Sequence, residues 1–254
     1  MKKPLLIGLG VVAIGLAPFF VSADTGIKNQ LAQIQQQALL LREQVRALAF
    51  ENPVKASSAS GKRWQVALQV GHWKLEGIPW ELQRLYQSRQ ARGGGKIEWE
   101  VNLEIAQKTA ALLEKEGIGV TLLPAVLPGV YKADVFVAIH ADQNPLLPYA
   151  SGFKAAASAY DQSGKAKQLA QLLNKEYRTA TWLNQERYIP ATMPYYYAFN
   201  WKKFLYAVHP TTPAAIIETG YLSNPRDRAI LVTNPAMAAQ GIAQAILKFL
   251  KENS

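Results

Sequence analysis

The 254 residues contain no cysteine, only three histidines, and few charged side chains for their length, 18% in all. Without thiols there is no disulfide framework, no thiolate zinc site and no cysteine nucleophile. A resident metal would have to be held by His, Asp or Glu, and the candidate histidines are His72, His140 and His209. Low charge combined with 49% hydrophobic residues excludes a globally disordered chain and supports a packed core. The charge that is present leans one way. Lys and Arg number 28 against 18 Asp and Glu, a formal net charge of +10, which suits an anionic surrounding such as nucleic acid, a membrane surface or a cell wall. The length allows one large domain or two small ones, and no internal repeat is found.

The N-terminus narrows the compartment. Lys2 and Lys3 form a positive start, Pro4 to Val21 is an uncharged stretch rich in Leu, Ile, Val and Gly, and Val21-Ser22-Ala23 offers the small residues a signal peptidase accepts. Residues 1–23 are therefore a cleaved signal peptide or an uncleaved anchor, with residues 4–21 in the membrane. Both readings carry the rest of the chain out of the cytoplasm, to the periplasm or cell surface, because positive charge stays inside. Residues 24–50 form a second segment. Ile27, Leu31, Ile34, Ala38, Leu41, Val45 and Leu48 follow a heptad seam, with Gln, Arg and Glu between them. Such a helix either pairs with a coiled-coil or regulatory partner through residues 25–50 or docks on its own domain. Residues 51–62, rich in Pro, Ser, Gly and Ala, read as a linker, which leaves residues 63–254 as the folded domain.

From Arg63 onward strand and helix patterns alternate. Trp64 to Val70, Ile118 to Leu123, Ala133 to Ile139 and Ala214 to Ile217 read as strands, and Glu100 to Glu116, Lys165 to Thr181, Pro225 to Leu231 and Pro235 to Leu250 as helices. The alternation predicts an α/β domain: a mostly parallel sheet flanked by helices on both faces. His72, His140 and Glu218 each follow an apolar strand, at the edge where open α/β sheets place their ligand crevices. Glu98 precedes a helix within reach of that edge. Two imidazoles and a carboxylate are a common catalytic zinc set, and a further carboxylate is then needed to take a proton from water. Spacing alone is compatible with structural histidines as well. Glu218 is harder to treat that way, because a carboxylate directly after Ala-Ala-Ile-Ile is costly to bury without a partner.

Four blocks, in order, resemble the zinc-dependent N-acetylmuramoyl-L-alanine amidases of the amidase-3 type. They are Gln69-Val70-Gly71-His72-Trp73 after a strand; Glu98-Trp99-Glu100-Val101-Asn102-Leu103, which fits the family's E-x-x-x-N-L; Ala133-Asp134 leading through Ala138-Ile139 to His140-Ala141-Asp142; and Glu218-Thr219-Gly220-Tyr221-Leu222-Ser223-Asn224. The likeness spans about residues 64–250. This chain has Gln69 where the family has Asp, Trp73 where it has Gly, Ala138 where it has Ser and Asp142 where it has Asn.

The resemblance implies hydrolysis of the amide between N-acetylmuramic acid and L-alanine in peptidoglycan, with Zn2+ held by His72, Glu98 and His140 and with Glu218 as the general base. It implies peptidoglycan, and no nucleic acid, as the anionic partner. Gln69 and Ala138 keep open a catalytically weak peptidoglycan-binding domain, and the heptad helix keeps open a membrane-tethered interaction protein. His209 has no counterpart motif and reads as a loop or rim residue. Gly93-Gly94-Gly95 suggests a mobile turn, and Arg84, Arg89, Arg92 and Lys96 beside Trp73, Trp80 and Tyr86 suggest a basic aromatic rim for sugar rings and anionic peptides.

Overall fold

The computed structural model describes residues 25–55, 64–144, 146–147 and 149–254. The expected signal or anchor segment, residues 1–23, lies outside the described residues, as does most of the expected linker. Contacts divide the chain into two compact units, Met1–Val45 and Arg46–Ser254. Helix α1 (Thr25–Glu51) fills the described part of the first and enters the second. Its seam is solvated: Ile27, Leu31, Ile34, Val45 and Leu48 are all exposed, from 45% to 62%. Strand β1 (Val54–Lys55) pairs in parallel with β6 (Tyr131–Lys132), so residues 54–55, expected as linker, are bonded to the domain.

The domain is built on a five-stranded sheet of order β5-β2-β7-β9-β8. Its members are β2 (Gln65–Val70), β5 (Gly119–Leu123), β7 (Val135–Asp142), β8 (Lys154–Ala157) and β9 (Ala214–Tyr221). The first four in spatial order are parallel, and β8 closes the far edge antiparallel to β9. Strands β2, β7 and β9 are near-continuous apolar runs because both of their faces are covered. Strand β8 gives little signal in the sequence, since Lys-Ala-Ala-Ala lacks the β-branched and aromatic residues that mark strands.

Helices α2 (Glu98–Lys115), α3 (Ala166–Thr181) and α5 (Pro235–Glu252) pack on one face. There Val66, Leu68, Val70, Val137, Ile139, Ala215 and Ile217 meet Ile105, Leu113, Leu169, Leu173, Ile242 and Ile246. Gly241 lets α5 approach α3 closely: a Cβ there would stand 2.7 Å from the Tyr177 Cα. The other face is covered chiefly by irregular chain and a 3-10 turn, Tyr197–Phe199, where Phe136, Ala138, Ile216, Leu127, Met193 and Phe199 cluster. After β9 the expected helix Pro225–Leu231 is α4 (Pro225–Arg228) followed by a wider π turn, Ala229–Thr233. Among the described residues no single helix is long and apolar enough to cross a membrane.

Asp227 fastens the chain beyond β9. Fully buried, it accepts hydrogen bonds from the Gly152 and Tyr221 amides at 2.9 and 2.8 Å and from the Ser151 hydroxyl. Asp227→Ala strands these donors in the interior and is expected to destabilise the domain by about 2–3 kcal/mol. Urea unfolding will read this as a lower midpoint at unchanged slope; a midpoint equal to the parent's would show that the latch carries no stability.

Candidate metal centre

The site stands at the carboxyl edge of the parallel strands. Gly71 ends β2 by donating its amide to the Ile139 carbonyl at 3.0 Å, and His72 then turns with φ 61°, in the left-handed region that non-glycine residues seldom occupy. The backbone at Gly71 has no room for a side chain: a Cβ there would lie 2.5 Å from the His140 ring. Gly71 is therefore what allows the two imidazoles to meet, edge to face, with centroids 5.2 Å apart.

Glu98 arrives from the opposite direction as the first residue of α2, where helix N-termini favour negative charge. Its placement rests on a hairpin. Strands β3 (Arg92–Gly93) and β4 (Lys96–Ile97) pair antiparallel around Gly94 and Gly95, both at positive φ, as a two-residue hairpin turn requires. The turn expected to be mobile is thus a tight structural element. Gly93 itself is pressed on backbone, since a Cβ there would fall 1.8 Å from the Leu222 carbonyl oxygen. Glu98 and Ala91 then exchange bonds: the Glu98 amide donates to the Ala91 carbonyl at 2.9 Å, and the Ala91 amide donates to Glu98 Oε2 at 3.0 Å.

His72, Glu98 and His140 come together, each offering one ligand atom and all three atoms within 4.8 Å of one another. Glu98 Oε2 is 3.4 Å from His72 Nε2, and Oε1 is 3.0 Å from His140 Nδ1. Ligands on a tetrahedral zinc at its usual bond lengths stand about 3.4 Å apart, so the donor set and its spacing fit that ion. Burial lowers the pKa of His72, keeping it neutral and able to give a lone pair. Burial would lower that of His140 as well, but its hydrogen bond and attraction to Glu98 outweigh this and raise it. Glu98 is held below the usual carboxylate range: burial opposes the charge, and the two imidazoles with the Ala91 amide overcome that opposition.

Glu218 lies beside this group without joining it. It is in register with His140 on β7 and with Lys154 on β8, so the three side chains stand in a row on one face. Its Oε2 is buried with no hydrogen-bond partner. Burial pushes its pKa up to about 7, with His140 pulling down and Glu98 and Asp142 pushing up. A carboxyl in that range both takes and returns a proton near neutral pH. Lys154 is bonded to Asp142 and Glu186 at 2.8 Å each and to the Tyr221 hydroxyl at 3.0 Å. Burial would discharge it, and those three partners keep it protonated. Thr219 ties β9 to β7 by donating to the His140 carbonyl at 2.8 Å.

His209 stands apart from the group, its Nδ1 2.9 Å from the Thr211 hydroxyl and its ring tilted on Phe50. Of the proposed rim, Trp80 and Tyr86 are exposed on a 3-10 helix, Trp80–Gln87, while Lys96 is paired with Glu104 at 2.7 Å. Two contacts at the site escape sequence reasoning. The Tyr196 hydroxyl is 3.0 Å from His140 Nε2, and the Ser88 hydroxyl 3.4 Å from His72 Nδ1.

At the carboxyl edge of an α/β sheet there thus stand a His-Glu-His group that could hold a metal ion and, beside it, a buried carboxyl oxygen with no hydrogen-bond partner. Residues 127–248 match the family model described as N-acetylmuramoyl-L-alanine amidase. Solved structures share the fold. An amidase of Nostoc punctiforme is 23% identical over 74% of this chain and 97% of its own, with a TM-score of 0.50. One from Clostridium difficile 630 is 20% identical over 76% and 100%, TM-score 0.54, and one from Mycobacterium smegmatis is 18% identical over 75% and 98%, TM-score 0.52. A search of the curated proteins gives no match. Residues 127–248 are thus similar to the amidase-3 family of N-acetylmuramoyl-L-alanine amidases, and the whole domain shares the fold of these solved amidases.

Gly71→Ala is expected to drive the His140 imidazole away from Glu98. With only three histidines in the chain, a 15N-histidine spectrum will show the His72 and His140 signals moved and those of His209 unchanged. Unmoved His140 signals would refute the close-packing argument.

Proposed function

We propose that the protein hydrolyses the amide between N-acetylmuramic acid and L-alanine in peptidoglycan, using zinc held by His72, Glu98 and His140. A zinc ion there supplies Lewis acidity, polarising the scissile carbonyl and bringing the pKa of water from ~15.7 towards ~7. The rest of the reaction falls to the chain. Glu218 is the general base: it takes the proton of the attacking water and returns it to the alanine nitrogen, which must be protonated to leave. The observation that carries this reading is the Glu218 Oε2, buried and without a partner next to the His-Glu-His group. An interior carboxylate oxygen left unpaired is costly, and a hydrogen-bonding substrate or water relieves that cost.

The binding-only alternative draws on Gln69 and Ala138. Gln69 bonds to the Ala125 carbonyl and the Tyr197 hydroxyl, and Ala138 packs against the apolar cluster with Phe136 and Phe199. Neither replaces one of the four site groups. The formal charge of +10 favours residence on an anionic wall. We place the domain, residues 63–254, outside the cytoplasm, carried there by residues 1–23 and presented by the 24–50 helix, whose exposed seam suits a coiled-coil or regulatory partner.

Two experiments test the reading. Glu218→Gln preserves shape and removes the proton acceptor, so zinc content should stay at the parent's level while dye release from labelled peptidoglycan falls by at least ~10²-fold. His140→Ala should lose zinc and activity together. Undiminished cleavage by Glu218→Gln excludes it as the base, and wall binding by a parent that never cleaves establishes the binding-only alternative. Fractionation of expressing cells should find the chain in the membrane or beyond it; a full-length, uncleaved chain soluble in the cytoplasm overturns the N-terminal assignment.

A further inference from the structure

The group around His140 extends past the ligands already named. The Nδ1 atom faces Glu98, and Nε2 meets the Tyr196 hydroxyl at 3.0 Å, the two rings edge to face with centroids 5.4 Å apart. The Tyr196 ring in turn packs edge to face on that of Tyr197, their centroids 4.5 Å apart. Tyr197 accepts from Gln69 Nε2 at 2.9 Å, and the other Gln69 N–H goes to the Ala125 carbonyl at 2.9 Å. Gly71 below and His72 beside the His140 ring leave it little freedom to turn.

We infer that Tyr196 is a positioning residue that sets His140 for the metal, and that Tyr197 and Gln69 hold Tyr196 in place. The inference rests on the metal-site reading above and names residues that reading does not use. Its logic is a count of hydrogens. A neutral imidazole carries one N–H and one lone pair. If Nδ1 gives its lone pair to the ion beside Glu98, the hydrogen is on Nε2 and needs an acceptor. The Tyr196 oxygen is that acceptor, and the Tyr197 ring, itself anchored by Gln69, packs on Tyr196 and holds it there. Partners of this kind on a ligating histidine fix its tautomer and ring orientation.

Gln69 also finds its reason here. An ionised carboxylate at that position has no hydrogen to give, so it would set an acceptor against the Ala125 carbonyl. The amide gives that carbonyl a hydrogen and gives a second to the Tyr197 oxygen. Its strand neighbour in register, Ala138, is small and packs under Phe199 of the same aromatic segment. The two departures from the family pattern thus sit side by side beneath the tyrosines.

The test uses the whole chain and three variants, Tyr196→Phe, Tyr197→Phe and the double variant, each keeping its ring. Zinc affinity is measured by competition with a chelator. Tyr196→Phe should weaken zinc about 10–100-fold, Tyr197→Phe should weaken it less, and the double variant should be no worse than Tyr196→Phe, because Tyr197 acts only through Tyr196. The 15N-histidine spectrum of the zinc-loaded parent should show a protected Nε2–H on His140 that Tyr196→Phe exposes to exchange. Unchanged zinc affinity in Tyr196→Phe overturns the proposal and leaves the metal site standing. Unchanged affinity with a fallen kcat assigns the phenol to the substrate instead. A parent that binds no zinc removes the metal-site reading, and this inference with it.

Discussion

The Glu98 carboxylate is the interaction on which the site depends. It is 3% exposed, and its two oxygens reach His72, His140 and the amides of Ala91 and Ala141. An ionised carboxylate so deeply buried is stable only when its acceptor capacity is met. Meeting it draws four separate pieces of chain to one point: the hairpin before α2, the helix itself, the turn after β2 and the end of β7. The imidazoles are ordered by the carboxylate and stabilise it in return. The group is therefore held together by the electrostatics of the fold itself.

Much of this was legible in the sequence because it follows from local rules. The apolar runs that became β2, β7 and β9, the periodicity of α2, α3 and α5, and the position of polar residues just beyond apolar runs all carry local signals. Boundaries were less legible. His140 and Glu218 lie inside β7 and β9 rather than after them, because pairing with neighbouring strands extends a strand past the point where its own composition argues for one. The hairpin at Gly93-Gly94-Gly95 is poorly marked in the sequence for a related reason. Glycine signals permission for unusual backbone angles, and only the Leu222 carbonyl pressed against Gly93 turns that permission into a requirement.

The tyrosine support of His140 could not be read ahead of the structure. Tyr196 is 56 residues from His140 in sequence, in a segment with no regular pattern, and nothing local marks one of three consecutive tyrosines as facing the site. A faint signal existed in Gln69. A glutamine among buried apolar strand residues needs polar partners, and the irregular chain covering that face was the place to seek them. The family match tells a complementary story. It begins at residue 127, after His72 and Glu98, so it covers only His140 and Glu218 of the four groups. Geometry, not the match, joins the other two to them.

The same irregular chain also receives the N-terminal segment. Arg46 donates to the Trp201 carbonyl, and Phe50 packs edge-on against Trp201, with centroids 5.6 Å apart, and against His209. Beyond the helix, the Val54 amide donates to the Val130 carbonyl at 2.7 Å. Tyr131, next in β6, is bonded in turn to Ala207 and His209. Val208 donates to the Ala198 carbonyl at 2.7 Å, two residues from Tyr196. Residues 46–55 thus meet the segment that supports His140 through backbone bonds and aromatic contacts. The lysines of this region, Lys202 over Trp201 and Lys203 over Phe204, set positive charge on the aromatic surface around that entry. Residues 46–55 therefore lie on the one face of the sheet that has irregular chain where an α/β domain usually has helices, the face that also carries Tyr196 and Tyr197.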